Sequence, residues 1–232
     1  MSNPPAVQPV INRPDVTTVL VAEVITGGPE RQRALAEAIV AHWQAIQWPS
    51  RLISLNCFVS TDGESVLTYA QWSSDEALSA SLRDEGSVSR PPAPGWGIPG
   101  VRSPEPQRYR LYRVVRGGAI TGPAPVARCF PAAIFKMENH EAARGWVDGL
   151  LASEEATEGE ERDYPGAIAA NFHISVDGTS VFLLSEWASE EEAVSHIAEV
   201  IEPILEQVGS GDTGAGARYQ HHTSLVGPPA SS

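Results

Sequence analysis

Apolar and polar positions change periodicity along this chain in a fixed order, and the order occurs twice. Thr17 to Val24 is a β-branched, apolar run that predicts a strand. Gly27-Gly-Pro29 closes it and places Pro29 to open a helix. Leu35, Ala38, Ile39, His42 and Trp43 then recur at helical spacing across 31–43. Trp48-Pro-Ser50 ends that helix. Arg51 to Ser60 and Val66 to Trp72 predict two strands around Asp62-Gly63, a pair that favours a two-residue type I′ turn. Ser73-Ser-Asp-Glu76 predicts a capped helix start, with the helix running to Leu82. Residues 86–106, rich in Pro, Gly and Ser, predict a long loop carrying Trp96 between Gly95 and Gly97. Arg108 to Arg116 predicts a strand with Tyr109, Leu111, Arg113 and Val115 on one side.

From Val126 the same order returns. A strand to Met137 precedes a helix over His140 to Leu151 and an acidic stretch, Glu154 to Asp163, that reads as a solvated loop. Tyr164-Pro-Gly166 parallels Trp48-Pro-Ser50. Ala167 to Val176 and Val181 to Trp187 flank Asp177-Gly178, a helix runs from Ser189 to about Glu206, and Arg218 to Val226 is the last strand.

The recurrence extends to identity. At a step of 115, nine of the twenty-four positions from Leu55 to Leu78 are identical in the second half: Asn56, Ser60, Asp62, Gly63, Ser65, Val66, Trp72, Ser74 and Glu76. Chance gives roughly one or two, so the chain reads as a duplicated module. The expected boundaries are a flexible arm over 1–16, a first domain over 17–116, a linker over 117–125, a second domain over 126–227 and a tail over 228–232. Each domain reads β-α-β-β-α-β. The expected fold class is therefore α+β: two tandem ferredoxin-like domains whose antiparallel sheets pack as an intramolecular α+β barrel.

Composition narrows the function classes. A net charge of −13 and a pI near 4.8 argue against a nucleic-acid partner. No apolar run is long enough to span a bilayer, and Met1-Ser-Asn-Pro-Pro has no basic or apolar leader pattern, so the cytosol is expected. Cys57 and Cys129 sit in apolar strand-like runs and read as buried free thiols. His221-His222 is too isolated for a metal site, and no metal is expected.

The hairpins assign faces. Asn56 pairs with Tyr69 and Phe58 with Leu67, so Asn56, Phe58, Leu67, Tyr69 and Gln71 share one face. Cys57, Val59, Val66, Thr68 and Trp72 share the other. The matching faces in the second half are Asn171, His173, Phe182, Leu184 and Glu186, and Phe172, Ile174, Val181, Leu183 and Trp187. The Cys/Val/Trp face is the more apolar and is assigned to the helices. The Asn/Tyr/Gln face is assigned to lie between sheets.

Thr61-Asp-Gly63 through Gln71-Trp72 to Glu76-Ala77 resembles the antibiotic biosynthesis monooxygenases of the dimeric α+β barrel superfamily. Val176-Asp-Gly178 through Trp187 to Glu192-Ala193 resembles them too, with Glu186 in place of Gln. The resemblance covers the central hairpin and second helix of both copies. It implies oxidation of a polycyclic aromatic substrate of anthrone or quinone type by molecular oxygen, without metal or flavin. A related branch would use reduced flavin. The family's pocket commonly has a strand-end Trp, matched by Trp72 and Trp187, and an Asn four residues earlier, where this chain has Thr68 and Leu183. That departure favours the first copy as the active one. His196 falls near the second pocket, and Trp72, Thr68, Trp187 and His196 are the catalytic candidates. Tyr69, Asn56, Trp96 (as a lid), Arg83, Asn171 and His173 are candidates for substrate binding, with Arg90 as another phenolate partner.

Each has a structural alternative. The tryptophans are also core packing, Asn56 and Asn171 also satisfy backbone groups, His173 is also a satisfied core histidine, and Arg83 is also a surface arginine. Competing functions are a non-oxidative cyclase or isomerase and a non-catalytic small-molecule-binding protein. Haem degradation, with His196 as ligand, is the weakest fit. The expected partners are a small aromatic substrate and O2, with no nucleic acid and no membrane. The chain is expected as a monomer with an internal pseudo-dimer or as a homodimer.

Overall fold

A computed structural model describes residues 8–83, 94–118, 122, 125–158, 164–208 and 216–227. The expected tail, the first seven residues of the arm, most of the linker and residues 84–93 with Arg90 lie outside these. The chain forms two compact units: Met1–Arg108 with Gln220–Ser232, and Tyr109–Tyr219. The divisions fall inside strands β4 (Gln107–Arg116) and β8 (Ala217–Val226).

Unit 1 contains β1 (Thr18–Ile25), α1 (Pro29–Ala45), β2 (Leu52–Ser60), β3 (Ser65–Trp72) and α2 (Asp75–Arg83). Its sheet order is β1-β3-β2-β8. Helix α1 starts at Pro29, whose fixed φ suits the first helical position. It buries Gln32, Leu35, Ala36, Ile39 and Trp43, a stripe at helical spacing. These pack on Cys57, Val66 and Trp72, as the alternation predicts. Gln32 ties the helix to the hairpin: its Nε2 donates to the Ser60 and Ser65 carbonyls at 2.9 and 2.8 Å. The opposite face, with Asn56, Phe58, Leu67, Tyr69 and Gln71, is equally buried.

Unit 2 contains β5 (Phe130–Lys136), α3 (His140–Glu158), β6 (Ala167–Ser175), β7 (Ser180–Trp187), α4 (Glu190–His196), a π-helical turn (Ile197–Ile201) and α5 (Glu202–Val208). Its sheet order is β8-β5-β7-β6-β4, antiparallel throughout. Asn139 caps α3, its Oδ1 accepting from the Glu141 and Ala142 amides at 2.9 and 3.0 Å. Ser189 caps α4 by accepting from the Glu192 amide. Phe172, Ile174 and Val181 pack on Ala143, Val147 and Leu150 of α3.

Several expectations are corrected. Both hairpins have four-residue loops with one positive φ, at Gly63 (81°) and Gly178 (78°), rather than type I′ turns. A side-chain network explains this. The Ser60 hydroxyl donates to Asp62 Oδ1 at 2.6 Å, and the Glu64 amide donates to both oxygens. Ser175 and Asp177 repeat the arrangement with Thr179. These hydrogen bonds, led by that from Ser175, hold the Asp177 carboxyl down at about 2. The glycines are required twice over, because a Cβ on Gly178 would stand 2.5 Å from the His140 amide nitrogen, and one on Gly63 would meet Pro29 at 3.1 Å.

The acidic stretch is not wholly loop, since α3 continues through Glu158; Glu and Ala are strong helix formers. On β4 a bulge between Leu111 and Arg113 reverses the alternation. Tyr109 therefore stacks on Phe182, whereas Arg113 pairs with Asp148 of α3 and Val115 packs toward that helix's core. The helix expected from Ser189 to Glu206 is interrupted by the π turn. The expected strand from Val126 is regular only from Phe130. The arm is anchored at Val10 and Ile11, whose carbonyls accept from Gln71 Nε2 at 3.0 and 2.9 Å, and Ile11 is buried.

Candidate functional site

Unit 2 has a partly open cavity of about 350 Å³ between its sheet and its helices. The size falls in the range of small-ligand sites. The sheet supplies a floor of small residues, Ala132, Ala133, Ala167, Ala169 and Ala170. Phe135, Phe172, Leu183 and Trp187 rise around them. Leu150 and Leu151 of α3, Ile197 and Ile201 of the π turn, and Leu205 of α5 form the opposite wall. Polar groups are few: Ser185, Tyr164, His196, Glu154, Glu202, Arg116 and Arg218.

The sequence builds this wall locally. Trp187 ends β7, and Ser189 caps the following helix, so the last turn of α4 brings His196 back over the strand end. The ring centroids of His196 and Trp187 are 4.9 Å apart and those of His196 and Tyr164 are 4.2 Å apart. His196 Nδ1 is buried with no hydrogen-bond partner among the described residues. Burial pushes its pKa from 6.5 down to about 4, so the imidazole is neutral at pH 7. Glu154, on α3, is buried in the cavity wall. Arg218 lines the cavity and its guanidinium holds Glu190 at 2.8 Å. Cys129 packs beside Trp187, and burial raises its thiol to about 11.

Of the residues expected from sequence, Trp187 and His196 are brought together here, and Leu183 lines the same cavity. The others lie elsewhere. Trp72 is buried against α1 and α2 in unit 1, its Nε1 lacking a partner among the described residues. The Thr68 hydroxyl donates to the Ala22 carbonyl at 3.4 Å. Trp96, expected as a lid, packs edge-on to His42 of α1 at 5.5 Å and joins the unit 1 core. Arg83 is exposed in the last turn of α2.

Asn56 is fully engaged, donating to the Tyr69 carbonyl and accepting from Ser224 at 2.6 Å. Tyr69 is buried on the same face. Asn171 donates to the Leu184 carbonyl and to Glu186 Oε1. Burial raises the pKa of Glu186 against that hydrogen bond. His173 is fully buried beside Phe182, with Nδ1 3.3 Å from the Phe182 carbonyl and a pKa lowered by burial to about 4. It is a core histidine. His221 engages Ser224. Among the described residues no cluster of three His, Cys, Asp or Glu side chains suits a metal ion, and no helix is long and apolar enough to cross a membrane.

No protein-family model and no curated protein matches the chain. Solved structures do. An anthrone oxidase-like protein superposes with a TM-score of 0.66 at 17% identity, covering 90% of this chain and 93% of that one. A candidate monooxygenase from Fusobacterium nucleatum subsp. nucleatum superposes at 0.55 with 8% identity, covering 91% and 95%. A mutant chlorite dismutase from Candidatus Nitrospira defluvii superposes at 0.50 with 10% identity, covering 89% and 91%. At these identities the likeness shows the fold alone, and that fold carries differently named activities. The chain is thus an α+β protein that shares the fold of these structures. Among the structures it resembles is an anthrone oxidase-like protein, and the reaction must be argued from the cavity.

Proposed function

We propose that this protein is a tandem duplication of a monooxygenase-like module and that its unit 2 cavity oxidises a polycyclic aromatic of anthrone type with O2. The observation that carries the reading is His196: a neutral imidazole with a buried Nδ1, unpartnered among the described residues, beside Trp187 in a predominantly apolar cavity. Flat aromatic ligands suit such walls, and a phenolic or enolic proton suits the free nitrogen.

In the proposed reaction His196 accepts a proton from the acidic substrate. The resulting imidazolium lies beside the substrate anion, and that pairing opposes the cavity's penalty on charge. The electron-rich anion passes one electron to O2, radical and superoxide combine to a peroxide anion, and the His196 imidazolium returns its proton to give the hydroperoxide. Loss of water then leaves a ketone, so that the ring methylene and one molecule of oxygen give a ring carbonyl and one water. The protein's share is orientation, exclusion of water and hydrogen bonding to the developing charge. Metal and flavin are proposed to be dispensable. The substrate and O2 are the proposed partners, rather than nucleic acid or membrane, and the cytosol is the proposed setting for one chain or a homodimer.

The test is oxygen uptake by the purified protein with dithranol, with and without reduced flavin. The reading expects one O2 consumed per anthraquinone formed without flavin. Uptake that needs reduced flavin would move the protein to the flavin-using branch. Binding without uptake would favour a second reading, a non-catalytic or non-oxidative protein, which Leu183 supports because it places no hydrogen-bond donor at its point of the cavity wall.

A further inference from the structure

The two units differ in what fills the space between sheet and helices. The step of 115 that aligns the hairpins also aligns their irregularities, since β2 shifts register between Leu52 and Ser54 and β6 between Ala167 and Ala169. At the matched helix-facing positions unit 1 carries Leu52 and Leu55, buried in its core. Unit 2 carries Ala167 and Ala170, both lining the cavity. Helices α1 and α3 align through the hairpin glycines, which approach Pro29 and His140, their first residues. Counted from there, Trp43, packed against Trp48 in unit 1, corresponds to Glu154 in the cavity wall of unit 2. Unit 2 has small or polar side chains where unit 1 has two leucines and a tryptophan.

We propose that Ala167 and Ala170 are the specificity-determining residues of the cavity, setting how many fused rings it admits, and that Leu52 and Leu55 close the matching space in unit 1. The inference rests on the reading of the cavity as the ligand site, but not on oxidation. Truncating one buried leucine leaves roughly 150 Å³, enough for benzene. The observed cavity, about 350 Å³, is a little more than two such spaces and so holds two or three fused rings. Each restored leucine adds three carbon atoms to the floor, so one shortens the space open to the rings and two shorten it further.

The experiment is equilibrium binding to the full chain under nitrogen, which prevents turnover, with dithranol (three rings), 1-naphthol (two) and phenol (one). Ala170→Leu should weaken dithranol at least 30-fold and keep 1-naphthol within about threefold, since the filling leaves room for the smaller ligand. Ala167→Leu/Ala170→Leu should weaken dithranol further and weaken 1-naphthol as well. Ala170→Val, a smaller step, should fall between wild type and Ala170→Leu and secures the series if the leucine variants fail to fold. Leu55→Ala should create a second phenol site. Dithranol binding unchanged in Ala170→Leu and Ala170→Val, or all ligands weakened alike, would overturn the proposal, as would a wild-type chain that binds none of the three. Graded binding without oxygen uptake would retain it while the oxidation reading fails.

Discussion

Replacing His173 by phenylalanine, the residue found at the matched position of unit 1 as Phe58, removes a fully buried titratable group. Burial lowers the pKa of His173 from 6.5 to about 4, against hydrogen bonds with the Phe182 and Asn171 backbones that pull it upward. The unfolded imidazole takes a proton below about pH 6.5, whereas the folded one stays neutral until about pH 4. Above pH 6.5 both states are neutral and His173 adds no pH dependence. Below it the unfolded state gains protons first, so stability falls as pH drops toward 4 and levels off beneath that. The full effect is about 3 kcal/mol, most of it lost between pH 7.5 and 4.5. Urea unfolding of wild type and His173→Phe at those two pH values isolates it, because other groups titrate alike in both. The variant should lose about 2 to 3 kcal/mol less than wild type on acidification, while costing about 1 kcal/mol at pH 7.5 for the contact to the Phe182 carbonyl. Equal acid losses in the two proteins, within about 0.5 kcal/mol, would refute a neutral buried His173.

Two further predictions concern the turns and caps. Gly178→Ala forces a positive φ on alanine and sets its Cβ 2.5 Å from the His140 backbone nitrogen, so it should cost more than 2 kcal/mol by urea unfolding, and more than Gly63→Ala, whose Cβ meets Pro29 at 3.1 Å. Equal costs would contradict the closer packing of the second turn. Asn139→Ala removes the acceptor for two α3 amides and should cost about 1 kcal/mol in the same assay, with Asn139→Asp restoring most of it.

Much of the fold was legible because its signals are local. Among the described residues, β-branched runs, helical stripes and capping residues predicted the β-strands and α-helices within a few positions, apart from the π turn and the length of α3, while a short 3-10 turn, Pro94–Gly97, falls in the expected loop. The bulge in β4 was not legible, since a register shift is set by the partner strand and not by the residues that undergo it. The four-residue turns were missed because Asp62 and Asp177 draw in the preceding serine, a side-chain competition that the Asp-Gly pair alone does not announce. At the site, Trp187 and His196 were legible from the repeat and the helix spacing. The preference for the first copy rested on Thr68, whose hydroxyl is taken by the Ala22 carbonyl. Glu154 was missed because an acidic run reads as solvated until α3 extends beneath it. The alanine floor was present in the same alignment as the tryptophans, as Leu52 and Leu55 against Ala167 and Ala170. Its meaning depends on both pairs facing helices, a placement set by the register shifts in β2 and β6.

The most direct measurement is dithranol-dependent oxygen uptake by wild type, Trp187→Phe, His196→Gln and Trp72→Phe. Placing the site in unit 2 predicts uptake reduced at least tenfold by the Trp187 and His196 substitutions and retained in Trp72→Phe. Uptake lost with Trp72→Phe and preserved in the other two would contradict the account and move the chemistry to unit 1.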